Sequence, residues 1–152
     1  MQLATYLGLV KNAEKQLALA FEMIAKKHST DIEVLHSCKL LSRWSKDHVE
    51  NLKMQIEKYG QKKADEPKHL ASVLLKTKMG SLGLLRDLHG LWLLVCEVEM
   101  CYIIVSQAAK ALRDKDLELM CEQFCEYANR QKIWLQTKIK NSASQTLVVA
   151  ES

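Results

Sequence analysis

Apolar residues recur along most of this chain at alternating spacings of four and three, which places their side chains on one face of an α-helix. The chain has one Pro and only five Gly, too few for the frequent turns of a β-sheet protein. The pattern therefore predicts an all-α protein, and 152 residues fit a single domain. The first apolar series is Leu3, Leu7, Val10, Glu14, Leu17, Phe21 and Ile24.

Breaks in this periodicity predict four helices, over 3–28, 31–59, 84–113 and 116–140, in one domain of residues 1–142. At the first break the side chains of Ser29, Thr30 and Asp31 can cap the second helix, and Glu33 can complete a capping box with Thr30. Residues 60–83 are predicted to form a long crossover containing a short helix at 69–78, and 143–152 a flexible tail. Two short turns around one long crossover are the connectivity of a ferritin-like antiparallel four-helix bundle.

Glu14 is the charged member of the first apolar series, and a buried carboxylate needs a partner or a cation. The apolar series of the second helix contains Ser45 and His48, three residues apart. Counting outward from the turn near residue 30 places Glu14 level with Ser45, with His48 on the same inward face. Two interpretations follow: a buried Glu14–His48 ion pair that binds nothing, or two ligands of a metal site.

A ferritin-like di-iron site also needs a carboxylate on the third helix and a second Glu-x-x-His on the fourth. On the third helix Glu99 is the better candidate, and either it or Glu97 is expected to point outward. On the fourth helix the inward positions three apart are Ala128 and Gln131, which do not supply this motif. One divalent ion (Fe, Mn or Zn) is therefore favoured over two irons, if any metal binds. Its predicted ligands are Glu14, His48 and Glu99.

Short sequence segments add a family resemblance. These are AEKQL at 13–17, HVENL at 48–52, IEKYG at 56–60, the Pro-containing crossover, and CEQ in the fourth helix. They resemble the YciF-like group of bacterial ferritin-like stress proteins. Members carry a carboxylate-rich di-iron site, so the resemblance implies a bacterial, stress-related protein with metal ligands at the three positions named above.

This chain departs from the family pattern at Ser45, Ala128 and Gln131, where the resemblance transfers no ligand. The first functional hypothesis is therefore a non-catalytic or weakly metal-binding bundle that acts through its surfaces. The second is a di-metal or mononuclear oxidoreductase, and the third is a metal-free scaffold that binds another protein through the third helix. The sequence has no glycine-rich phosphate loop and no hydrolase motif.

The third predicted helix is apolar nearly all round, which predicts burial on a second side and a homodimer formed through it. Its most apolar stretch, 91–105, contains Glu97 and Glu99 and is shorter than the roughly 20 residues of a membrane span, so no membrane insertion is predicted. Basic and acidic residues are mixed along the chain, giving a net charge of +4 without basic–aromatic runs. Nucleic-acid binding is not predicted.

The chain has five cysteines, an odd number without the close spacing of a secreted disulfide framework. Reduced thiols and a cytoplasmic location are expected. Cys121 and Cys125 lie one helical turn apart and are predicted to be small buried apolar residues, with a thiolate metal site or redox pair as the alternative.

Overall fold

The computed structural model describes residues 1–60 and 80–149, and this part of the chain is helical with no strand. Four α-helices, α1 (Leu3–Lys27), α2 (Ile32–Tyr59), α3 (Ser81–Leu112) and α4 (Lys115–Ser144), are followed by a π-helical segment, Gln145–Val149. The all-α prediction is confirmed. The predicted short helix at 69–78 and most of the predicted crossover lie outside the described residues.

Aspartates cap two of the helices. Asp31 accepts a hydrogen bond from the Val34 backbone N–H at 3.1 Å at the start of α2, and Asp114 accepts one from Leu117 at 3.1 Å at the start of α4. The predicted Thr30 capping box is wrong, because α2 begins one residue later and the Asp31 carboxylate takes the capping role.

The helices pack in a ring, in which α1 contacts α2 and α3, and α4 contacts α3 and α2. His28, just after α1, lies against Asp87 near the start of α3, so these two helices are antiparallel. Lys58, at the end of α2, binds Asp114, just after α3, at 2.7 Å. Since α2 and α3 thus end at the same end of the bundle, they run in the same direction.

The core between the helices is formed by aliphatic and aromatic side chains from all four, with Tyr102 and Phe21 the largest of those fully buried. Among residues 1–60 and 80–149, seven polar or charged residues are buried as well, and they determine where chemistry could occur. They are Glu14, His28, Ser42, Ser45, His48, Asp87 and Gln131.

The C-terminal boundary differs from the prediction. Helix α4 continues to Ser144 and the π-helical segment to Val149, whereas the sequence predicted a flexible tail from 143. The stretch 141–149 contains neither Gly nor Pro, and Asn141, a residue type that often follows a helix, does not end this one. Leu147 lines a groove with Trp92 and Ile139, so this segment packs beside α3 and α4.

Helix α3 is the apolar helix anticipated from the sequence. Within the described residues, it alone is long and apolar enough to span a membrane, and half of its most apolar stretch is buried in the bundle. Its outer side carries exposed apolar residues, which the part of the chain that the structure describes leaves uncovered. These residues are Leu93, Met100, Ile103 and Ile104.

Candidate functional site

The middle of the bundle holds a buried carboxylate, that of Glu14, which is 1% exposed. It lies on α1 between Val10 and Leu17, both fully buried, as the apolar spacing of that helix requires. A charge in this position is stable only if neighbouring groups replace the water it has lost.

His48 of α2 is the first of those neighbours. Its Nδ1 lies 2.5 Å from Glu14 Oε2, and its ring stacks on Phe124 at 3.9 Å between centroids. With Glu14 ionised, Nδ1–H donates to the carboxylate, and the stacking fixes the plane of the ring. The convergence of Glu14 and His48 expected from the first turn is therefore present.

Tyr102 of α3 is the second neighbour, and the sequence analysis missed its role. Its hydroxyl donates to Glu14 Oε2 at 2.7 Å. Burial, the Glu14 charge and this hydrogen bond raise the pKa of Tyr102 well above its ordinary value, so it stays a neutral donor. Tyr102 belongs to the apolar series of α3, and a hydroxyl in that series was the available signal.

Ser45, expected beside Glu14, instead belongs to a second polar group. Gln131 of α4 donates through Nε2 to Ser45 Oγ at 3.0 Å and to the Leu41 carbonyl at 3.1 Å. Both side chains are buried, and Gln131 thereby ties α4 to α2. The inward position predicted for Gln131 is confirmed, and the side chain serves as a hydrogen-bond donor there.

Glu99, the third predicted ligand, is not brought to Glu14 and His48. It is partly buried and forms an ion pair with Lys132 of α4 at 2.9 Å, while Glu97 is exposed. The carboxylate that α3 was expected to contribute to the core is absent there, because Tyr102 contacts Glu14 instead. Among residues 1–60 and 80–149, no group of three His, Cys, Asp or Glu side chains could hold a metal ion.

The donors at the centre fit a di-iron cofactor poorly. Glu14 and His48 are competent ligands, but the Tyr102 phenol stays protonated, and two metal ions need bridging carboxylates to offset their charge. One observation favours an additional group: Glu14 Oε1 is buried and has no hydrogen-bond partner among the described residues. A buried carboxylate oxygen in that state can accept from a water or bind a single cation.

A second buried carboxylate–histidine pair lies at the end of the bundle where α1 ends and α3 begins. His28 Nε2 lies 2.6 Å from Asp87 Oδ2, and Lys27 Nζ lies 3.1 Å from the same oxygen. Asp87 is fully buried on α3, the helix that was predicted to be apolar nearly all round. Asp87 lies three residues after Leu84 and four before Leu91, so helical spacing places it on the inward face.

The cysteines are free thiols in this structure. Burial and the neighbouring Cys125 raise the pKa of Cys121 to about 12, and burial and Glu99 raise the pKa of Cys125 to about 11. Thiolates are the reactive and metal-binding form, so these values favour the interpretation as small buried residues.

Comparisons with known proteins do not identify a relative. No protein-family model matches the sequence, and neither the curated proteins nor the solved structures contain a significant match.

Proposed function

We propose that this protein is a non-catalytic, ferritin-like helical bundle that acts through its surfaces, as a homodimer formed along α3. The observation that carries the proposal is the composition of the core: its buried polar side chains bind one another or backbone carbonyls, and each of its two buried carboxylates, Glu14 and Asp87, is paired with a histidine. A stress-related role in a bacterium remains a prediction from the family resemblance, and a cytoplasmic location remains a prediction from the cysteine content.

The arrangement of the helices supports the ferritin-like topology. Helices α2 and α3 run in the same direction, with α2 ending beside Asp114 and α3 beginning beside His28. A chain that leaves the end of α2 must reach the opposite end of the bundle before α3 can start. This is the requirement for a long crossover between the second and third helices.

The outer side of α3 supports the dimer. Leu93, Met100 and Ile104 follow one another at spacings of seven and four, and are 52%, 54% and 41% exposed. Exposed Glu97 lies on the same face between Leu93 and Met100, so the surface is a set of apolar residues around one carboxylate. Exposed apolar residues grouped on one helix face are a common basis for a symmetric contact with a second copy. Its other side packs on α1 and α4, which accounts for the apolar character of α3 within the bundle.

The test is the mass of the full-length protein in solution, measured by light scattering during size-exclusion chromatography. We expect a dimer for the wild type and a monomer for Leu93→Glu/Ile104→Glu. Met54→Glu/Leu119→Glu, at exposed apolar positions on α2 and α4, is the matched control and should remain dimeric. A monomeric wild type, or a dimer unaffected by the α3 changes, contradicts the proposal.

A second candidate function is binding of one divalent ion, either as a remnant of a metal site or for mononuclear oxidoreductase chemistry. The unpartnered Glu14 Oε1 next to His48 is the observation in its favour. Such a site needs at least one more protein ligand or several waters. Glu99 could become that ligand only if its ion pair with Lys132 were broken.

Elemental analysis of protein produced with added iron, manganese or zinc separates the two candidates. The proposed function expects much less than one ion per chain. One ion per chain that is lost in both Glu14→Gln and His48→Asn supports the metal-binding candidate, and its loss in Glu99→Gln would add the third ligand. Retention of metal in all three variants assigns the ion to another place.

A further inference from the structure

The outer surface of the bundle between α1 and α2 forms a groove with an unusual distribution of charge. One part of it is a depression of about 840 Å³, and the adjoining part is one of about 380 Å³. Lys46 lines both, so the two form one continuous surface, here called the α1–α2 groove. It extends along α1 from Lys11 to Lys26, about 22 Å at 1.5 Å per residue.

Cationic residues dominate this groove. Seven Lys or Arg line it against three acidic residues, an excess of four that equals the net charge of the whole chain. Lys46 pairs with Glu22 and Lys53 pairs with Glu50. The other five cations form no ion pair within residues 1–60 and 80–149, so their charge is available to a ligand. They are Lys11, Lys15, Lys26, Lys39 and Arg43.

The lining between these charges is apolar. Leu35 and Leu40 lie in the larger part, and Leu19 and Val49 in the smaller part. Leu19 is 52% exposed and Leu40 is 42% exposed, which leaves both available for contact. A complementary ligand therefore has an apolar face as well as negative charge.

We propose that the α1–α2 groove binds an acidic amphipathic helix of a partner protein. Such a helix lays leucine-type side chains into an apolar groove and places carboxylates beside the flanking cations. The length of the groove matches about 15 residues, or four helical turns. This inference does not depend on the dimer or on metal binding.

Other occupants match these features less well. The described residues that line the groove include no Phe, Tyr or Trp, and His36 is the single ring among them, so successive bases of a single-stranded nucleic acid have no series of rings to stack on. Residues 61–79 carry five Lys against two acidic residues, the same sign of charge as the groove. Charge complementarity therefore points to a separate, acidic chain.

Fluorescence anisotropy with a labelled synthetic peptide tests the proposal. The probe is a 15-residue helix with Leu at heptad spacing on one face and Glu on its borders. The control probes are the same peptide with every Glu replaced by Lys, and a scrambled peptide of the same composition. We expect saturable binding of the Glu probe alone, weakening as salt is raised.

Two double variants locate the binding surface. Lys39→Glu/Arg43→Glu reverses two exposed groove charges and should weaken binding tenfold or more, while Leu40→Ala should weaken it less and without changing its salt dependence. Lys110→Glu/Lys140→Glu makes the same charge change at exposed positions outside the groove and should leave binding within twofold of wild type.

Three results would overturn the proposal. These are no saturable binding of the Glu probe up to about 1 mM, a limit corresponding to roughly 4 kcal/mol; equal weakening by both charge-reversal variants; and tighter binding of a single-stranded oligonucleotide than of the Glu probe. The last result would assign the groove to nucleic acid. None of them bears on the mass or the metal content of the protein, so the proposals of a dimer and of metal binding are tested independently of this one.

Discussion

The imidazole of His28 lies 2.6 Å from the carboxylate of Asp87, and the two residues join the end of α1 to the beginning of α3 inside the protein. They are 59 positions apart in the sequence. Lys27, at 3.1 Å, adds a cationic partner to the same oxygen of Asp87. This contact fixes the end of the bundle opposite Asp114.

Replacing Asp87 with Asn should destabilise the protein by about 2–4 kcal/mol, because His28 and Lys27 lose the carboxylate that both of them contact. Urea unfolding followed by circular dichroism measures the effect. Glu22→Gln removes one partner of the exposed Glu22–Lys46 pair and serves as the control, with an expected cost below about 1 kcal/mol. Equal costs for the two variants would show that Asp87 is not held as described.

His48→Leu should destabilise the protein by about 3 kcal/mol, because Glu14 then keeps only Tyr102 as a hydrogen-bond donor. In Glu14→Leu/His48→Leu the uncompensated carboxylate is gone, so the double variant should cost about 1–3 kcal/mol less than the sum of the two single variants. The comparison pair is His48→Leu with Asp87→Asn, which lie in separate networks and should be additive. Additivity in the Glu14–His48 cycle would contradict a direct interaction.

Asp114 should make stability depend on acidity below pH 4. Hydrogen bonds from Lys58 and Tyr59 lower its pKa from 3.8 to about 2 in the folded protein. Because the pKa of Asp114 is lower in the folded protein than in the unfolded chain, its ionised carboxylate stabilises the fold above pH 3.8. That contribution is lost as the pH falls through about 2. Asp114→Asn lacks this titration and keeps a side-chain oxygen for the helix cap.

The measurement for Asp114 is the urea midpoint at a series of pH values. The wild type should lose more stability than Asp114→Asn between pH 4 and 2, and the two curves should run parallel between pH 5 and 7. Parallel curves over the whole range would contradict the lowered pKa.

The buried thiols should react slowly with an alkylating reagent at neutral pH. Burial raises the pKa of Cys38 to about 12, and burial together with Glu97 and Glu14 raises the pKa of Cys101 to about 11, so little thiolate is present. Mass spectrometry after a short pulse of iodoacetamide should find these cysteines largely unmodified in the native protein and labelled in guanidinium. Rapid native labelling of Cys121 or Cys125 would revive the redox-pair interpretation.

Much of the helical structure could be predicted because its determinants are local. Apolar spacing and turn residues gave the four helices to within four residues at each end. The short first turn also gave the Glu14–His48 pairing, since a tight turn between antiparallel helices fixes their register. The C-terminal boundary was placed too early because Asn141 is a weak stop signal, and neither Gly nor Pro follows it up to 149.

The remainder of the site depends on contacts between residues far apart in the chain. Glu99 and Tyr102 both lie on α3, and spacing alone favoured the carboxylate as the partner of Glu14. In the folded protein Lys132 binds Glu99 and leaves the phenol to contact Glu14. Whether Glu99 or Tyr102 faces Glu14 depends on the rotation of α3 about its axis and on the position of Lys132 on α4.

The sequence by itself determined that the chain forms long amphipathic helices with a carboxylate and an imidazole facing inward, because helical periodicity acts between residues three and four apart. Tertiary structure alone decided that Tyr102 completes the Glu14 cluster, that Gln131 binds Ser45, and that Asp87 is buried against His28. It also gathered the cations of α1 and α2 along one groove. Such pairings depend on the packing of whole helices, and nothing local to either partner encodes them.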